Sequence, residues 1–191
     1  LDHLLPSLMD NYSGEYVSVA MPSMRVGTLT QNIMDQIKRV RKTGFTLAPE
    51  AGSERLRQVI NKGITEDDLL KTCDLAFELG WKLLKFYFMI GLPTESMKDL
   101  EEIASLIKLC SKDKNGKFRK LTASIGTFVP KPHTPFQWHG QLPIEDGKER
   151  IKKLKELLPR KGVKLKYHDF HQSFLEGVFS RGDRKLSTLI E

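Results

Sequence analysis

Cysteine is nearly missing from this sequence, with two among 191 residues. Cys73 and Cys110 lie far apart on segments that read as helices, a placement that suits reduced, packed thiols better than a disulfide or metal framework. No apolar run approaches the roughly 18 residues of a spanning helix, and the N-terminus has no basic, then apolar, then small-residue leader. A soluble, cytoplasmic chain with no membrane partner is the expectation. Acidic residues are the minority: 24 Asp and Glu stand against 31 Lys and Arg, for a net charge of +7. That excess suits an anionic ligand or nucleic acid and does not choose between them. Repeats, low-complexity runs and linkers are also missing.

What is there is an ordinary globular composition, 39% hydrophobic and 29% charged. A chain of this length forms one domain, residues 1–191, and buries about two-thirds of its unfolded surface. It begins at Leu1, and the opening LDHLLPSLMDNY reads as the tail of an amphipathic helix, so a piece of a longer protein is expected.

Short stretches rich in Val, Ile and Phe recur at Tyr16–Met21, Gly44–Ala48, Leu83–Ile90, Ala123–Val129 and Val163–Tyr167, each bounded by Gly, Pro or Ser. Helical patterns lie between and after them at Leu29–Lys42, Glu54–Ile60, Glu66–Leu79, Met97–Ser111, Ile144–Leu158 and Gln172–Phe179. Thr65 with Asp68, and Ser96 with Asp99, mark helix starts, and Gly80 stands where a left-handed residue ends a helix. Alternating strands and helices predict an α/β fold with a parallel sheet. Five strands are too few for a closed eight-strand barrel, so the prediction is a partial TIM-like (β/α) barrel with helices outside.

The chemistry concentrates in GFTLAPEAGSERLRQVINKGIT, where a strand ends at Pro49 and delivers Glu50, Ala51, Gly52 and Ser53 to its C-terminal edge. Ligands bind at that edge in parallel α/β folds. Gly52 lets a ligand approach the backbone, and Ser53 caps the next helix. Two helical patterns separate this strand from the next where one is enough to return the chain, so the shorter lies across the top. Lys62, at its end, then stays near the mouth with Glu50. Read without further context, Glu50 suits a solvated carboxylate and Lys62 a surface lysine at a helix C-terminus.

From PEAGSERLRQVINKGITEDDLL through KFYFMIGLPTES to FVPKPHTPFQW, the chain resembles the radical S-adenosylmethionine (SAM) superfamily, especially members that join a cobalamin-binding-like domain to the barrel. The resemblance implies that Glu50 accepts hydrogen bonds from the SAM ammonium or ribose and that Lys62 pairs with its carboxylate. It implies that Tyr87, Met89, Ile90 and Gly91 line the nucleoside, that Ser23 and Arg25 end a preceding strand facing the same cleft, and that Thr127 to Trp138 supply part of a cover. In such proteins an electron from a [4Fe–4S] cluster, held by three cysteines, starts the cleavage of SAM and radical chemistry on a substrate. Two cysteines cannot make that triad, and the glycine-and-glutamate motif of the second strand is absent. The chain is thus expected to be the C-terminal half of such a barrel, inert alone, with the cluster-binding N-terminal half of the same barrel as its partner. The strand edge at Tyr16–Met21 is then a surface for self-association.

Other features have plainer readings. His133, His139, His168 and His171 are scattered over two loops with no carboxylate pattern, so no metal ligands are assigned. The run KERIKKLKELLPRKGVKLK carries lysines opposite Ile151, Leu154, Leu157 and Leu158, which suits a solvated face. A non-catalytic module docking RNA or an acidic partner through those lysines is the alternative function. A barrel enzyme using Glu50 as general base on a phosphorylated substrate ranks last, because no glycine-rich phosphate loop follows the later strands.

Overall fold

The structure is a computed structural model that describes residues 3–17, 31–39, 45–113 and 115–191. Helix α1 (Leu4–Tyr12) and helix α2 (Gln31–Lys38) precede strand β1 (Phe45–Glu50). Helices α3 (Glu54–Val59) and α4 (Glu66–Glu78) then lead to β2 (Leu84–Ile90), α5 (Met97–Cys110) to β3 (Leu121–Thr127), and α6 (Ile144–Leu157) to β4 (Val163–Tyr167), with α7 (Phe170–Arg181) after it. The four strands form one parallel sheet in the order β1-β2-β3-β4, an α/β arrangement consistent with the expected partial TIM-like barrel. Of the first expected strand, Tyr16 and Val17 follow a 3-10 turn at Ser13–Glu15, and Tyr16 has a left-handed φ of 59°. Its remainder lies outside the described residues, as do Ser23 and Arg25.

Alternation in each strand separates two faces. Phe45 and Leu47 of β1, Leu84, Phe86, Phe88 and Ile90 of β2, and Leu121, Ala123 and Ile125 of β3 bury into the main core against the helices. Thr46, Lys85, Tyr87, Thr122, Ser124, Lys164 and Lys166 occupy the alternate positions. The helix starts were legible: Thr65 with Asp68 and Ser96 with Asp99 both close full capping boxes. Gly80, at φ 90°, ends α4 as read. No helix among the described residues is long and apolar enough to cross a membrane.

Cys73 of α4 and Cys110 of α5 are both free and buried, and a hydrogen bond between them, with burial, holds the Cys73 thiol far above the usual thiol range. They act as packed, unreactive side chains.

Glycine in a helix interior ordinarily costs stability relative to alanine, by about 1 kcal/mol. Gly147 of α6 reverses this, because a Cβ there would stand 2.5 Å from Cε1 of the buried Phe170 ring. Gly147→Ala should therefore destabilise the fold by about 1 kcal/mol through overpacking; urea unfolding with a gain in stability would show that Phe170 yields freely.

Candidate functional site

At its C-terminal end β1 turns sharply, and Glu50 adopts a left-handed backbone with φ 69°. A non-glycine residue held there stores strain of about 1–2 kcal/mol, a feature that clusters at ligand sites. The chain then passes through Ala51 and Gly52 to Ser53, whose hydroxyl oxygen accepts the Leu56 N–H at 3.1 Å as the N-cap of α3. Gly52 faces α5: a Cβ would stand 2.3 Å from the Ile103 backbone nitrogen. The close approach that this glycine permits is thus to a helix backbone.

Helix α3 is held across the top of the sheet by its apolar side chains and by one buried arginine. Leu56 and Ile60 pack with Ala51, Leu92, Met89 and Phe128 in a cluster separate from the main core. Arg57, 1% exposed, donates to the carbonyls of Ala51 at 3.1 Å, Gly52 at 2.7 Å and Ile64 at 2.8 Å, tying the entry of α3 to its exit. Burial lowers its pKa from the ordinary guanidinium value, and Glu54, Glu66 and Glu102 offset part of this. With Asn61 left-handed at φ 55°, the chain doubles back and places Lys62 Nζ 3.0 Å from Glu50 Oε1. Both side chains remain about a quarter exposed, at 28% and 26%. The proximity expected from the extra helix is present.

A second loop, after β2, is bound to the first through Asp99 at the start of α5. This carboxylate, 4% exposed, accepts from the Ser53 hydroxyl, from Arg55 at 2.6 and 3.3 Å, and from the Ser96 backbone N–H at 2.8 Å. Burial alone would raise the Asp99 pKa, but the hydrogen bonds from Arg55, Ser53 and Ser96 prevail and hold it well below the usual carboxylate range. Arg55 also reaches the Thr94 carbonyl at 2.9 Å, where Thr94 is left-handed at φ 64°. Further along the same turn, Glu95 accepts the Gly91 N–H at 3.0 Å and forms a buried ion pair with Arg150 of α6.

The expected nucleoside-lining residues divide. Tyr87 is 37% exposed on the sheet face away from the core, and Met89, on that same face, packs beneath α3. Ile90 points the other way, fully buried in the main core, and borders the mouth only through its carbonyl, which accepts the Phe128 N–H at 2.9 Å. Gly91 needs its glycine twice over: φ is 79°, and a Cβ would meet Leu142 Cβ at 2.7 Å. The cover segment starts at the mouth with Phe128, whose ring meets Phe136 edge-on at 6.2 Å, and is anchored to α7 by the Lys131–Glu176 ion pair. Arg55, Arg57, Glu95 and Arg150 were not singled out in the sequence, and Asp99 was read there only as part of a helix cap.

Residues 3–107, more than half of the chain, match the Radical SAM superfamily. The chain belongs to that superfamily. It is also 36% identical over 179 residues to an uncharacterized protein of Methanocaldococcus jannaschii, an alignment that covers 92% of this chain and 37% of the relative. The chain thus spans well under half the length of the curated relative it matches. Radical SAM membership implies SAM and a [4Fe–4S] cluster in general. The residues present do not fit the cluster: both cysteines are buried, and among the described residues no three His, Cys, Asp or Glu side chains are grouped to hold a metal. They do fit the amino-acid end of SAM, because one carboxylate and one ammonium stand together, partly exposed, at the sheet's C-terminal edge.

Asp99 yields a pH prediction. Its folded pKa lies below the ordinary value near 4, so its stabilisation is complete above about pH 5 and is lost as pH falls through the acidic range. Asp99→Asn should lower stability at pH 7 by about 2 kcal/mol and flatten the loss between pH 5 and pH 3 in denaturant titrations. Equal slopes for variant and parent would assign the acid sensitivity elsewhere.

Proposed function

We propose that this chain is the C-terminal part of a radical SAM barrel in which Glu50 and Lys62 hold the amino-acid moiety of SAM. The observation that carries this reading is their 3.0 Å pairing at the C-terminal edge of β1, produced by a short helix lying across the mouth. SAM is zwitterionic at that end. Entering between the two side chains, it replaces their mutual pair by two charge-assisted contacts, Glu50 accepting from the ammonium or ribose hydroxyls and Lys62 donating to the carboxylate. Tyr87, Met89 and the Gly91 backbone then border the nucleoside, while Gly52 and Ser53 shape the loop that presents Glu50. Ser23 and Arg25, outside the described residues, belong to the same proposal as neighbours of the cleft.

The cluster that supplies the electron for SAM cleavage is ligated outside this chain, in the N-terminal half of the same barrel of the full-length protein. On this reading the longer protein is an enzyme of a reducing compartment, the cytoplasm, and carries the cobalamin-binding-like domain of the members it most resembles. The RNA-docking alternative gains nothing from α6. Lys148 pairs with Glu145 at 2.7 Å, Lys153 with Glu101 at 3.5 Å, and Lys155 sits 5.0 Å over the Tyr167 ring.

The test is anaerobic reconstitution of the full-length protein with iron and sulfide, followed by reduction with SAM and measurement of 5′-deoxyadenosine. Product should fall at least about tenfold, the effect of losing one contact of about 1.4 kcal/mol, in Lys62→Ala and in Glu50→Gly. The glycine variant removes the carboxylate while relieving the positive φ, so its loss of product is not a folding defect. A reconstituted cluster with no SAM cleavage, or full activity in both variants, sinks the reading.

A further inference from the structure

The face of the sheet opposite the main core is polar along its lower and middle rows. In register, Lys85, Thr122 and Lys164 stand side by side on β2, β3 and β4, and one row nearer the C-terminal edge stand Tyr87, Ser124 and Lys166. Above them lie Met89 and Gly126. On the helix-facing side every strand residue that joins the core is apolar. Parallel sheets are ordinarily apolar on both faces, so three lysines with the hydroxyls of Thr46, Tyr87, Thr122 and Ser124 on one face are a departure that needs a ligand or solvent to satisfy them.

The charges on this face are unbalanced. Among the described residues none of Lys85, Lys164 and Lys166 takes part in an ion pair, and the one carboxylate of these strands, Glu50 at the C-terminal edge of β1, is engaged by Lys62 at 3.0 Å. Thr122 and Ser124 of β3 are sunk to 5% and 9% exposure between the lysines of β2 and β4. Lys85 and Lys164 are two strands apart, about 10 Å between Cα atoms, and Lys166 stands about 7 Å up the strand from Lys164. Flexible four-carbon stems let three ammonium groups at those spacings converge over the two hydroxyls.

We propose that this face binds a phosphate group of the substrate, with Lys85, Lys164 and Lys166 as its cations and Thr122 and Ser124 as hydroxyl donors. The proposal rests on the reading above and names the substrate class: a phosphorylated compound. A single carboxylate neutralises one of three cations, whereas a phosphate ester carries between one and two charges at pH 7 and three acceptor oxygens. Lysine binds phosphate as a point charge without the fork geometry that favours arginine. Side chains on strand faces here take the part that a glycine-rich loop plays elsewhere. The phosphate lies at least one row, about 7 Å, below the row of Met89 and Gly126, so the atom that reacts at the mouth is several bonds from it.

Isothermal titration of the full-length protein with inorganic pyrophosphate at low ionic strength tests this, with SAM titrated in parallel. Pyrophosphate should bind, and the double variant Lys164→Gln, Lys166→Gln should bind it at least tenfold more weakly, with SAM affinity unchanged and with pyrophosphate affinity kept when both are changed to Arg. The control Lys152→Gln, Lys161→Gln on the outer surface should bind as the parent does. No pyrophosphate binding, equal weakening in the control, or citrate binding as tight as pyrophosphate would overturn the proposal. Because SAM and pyrophosphate are read separately, loss of SAM affinity in Lys62→Ala with pyrophosphate binding intact distinguishes failure at the mouth from failure on the face.

Discussion

The Asp99 carboxylate is the point at which two loops become one site. It closes the capping box of α5 with Ser96 and also receives Ser53 and Arg55 from the loop that presents Glu50. Five hydrogen bonds converge on a group removed from solvent, and that is why it stays ionised despite burial. The spacing between the end of β1 and the turn after β2 is therefore set by hydrogen bonds of fixed length. Arg57 does the same work for α3, satisfying three carbonyls at once. Glu50 is held against its backbone preference because the structure on either side of it is fixed.

The two faces of the sheet follow different physics. Phe86, Phe88, Leu47 and Ile125 exclude water with α4, α5 and α6, and this burial holds the strands in place. On the opposite face lysines and hydroxyls stand in their place. The small cluster of Leu56, Ile60, Met89, Leu92 and Phe128 forms the boundary between them at the mouth, roofing the upper end of the polar face with the underside of α3.

Much of the architecture was legible in the sequence because its signals are local. A capping box spans three residues, a left-handed glycine ends a helix within one turn, and strand alternation repeats every second residue, so Thr65 with Asp68, Gly80 and the β2 pattern could be read without a partner. The extra helix between β1 and β2 was enough to bring Lys62 beside Glu50. Less legible were the neighbours of two glycines: a Cβ at Gly52 would meet α5 and one at Gly91 would meet Leu142, contacts that no local pattern announces.

The sequence by itself determined the alternation of strands and helices, the family pattern in PEAGS and GLPTES, and the charge excess. Tertiary structure alone decided which side chains meet across long separations. Ser53 and Asp99 are 46 residues apart, and Glu95 and Arg150 are brought together from different segments. It also decided that Ile90 turns inward while Tyr87 faces out, and that Lys85, Thr122 and Lys164 fall in one row. The reason is register: local propensity sets where a strand runs, but only the pairing of one strand with the next sets which residues share a face and stand level with one another.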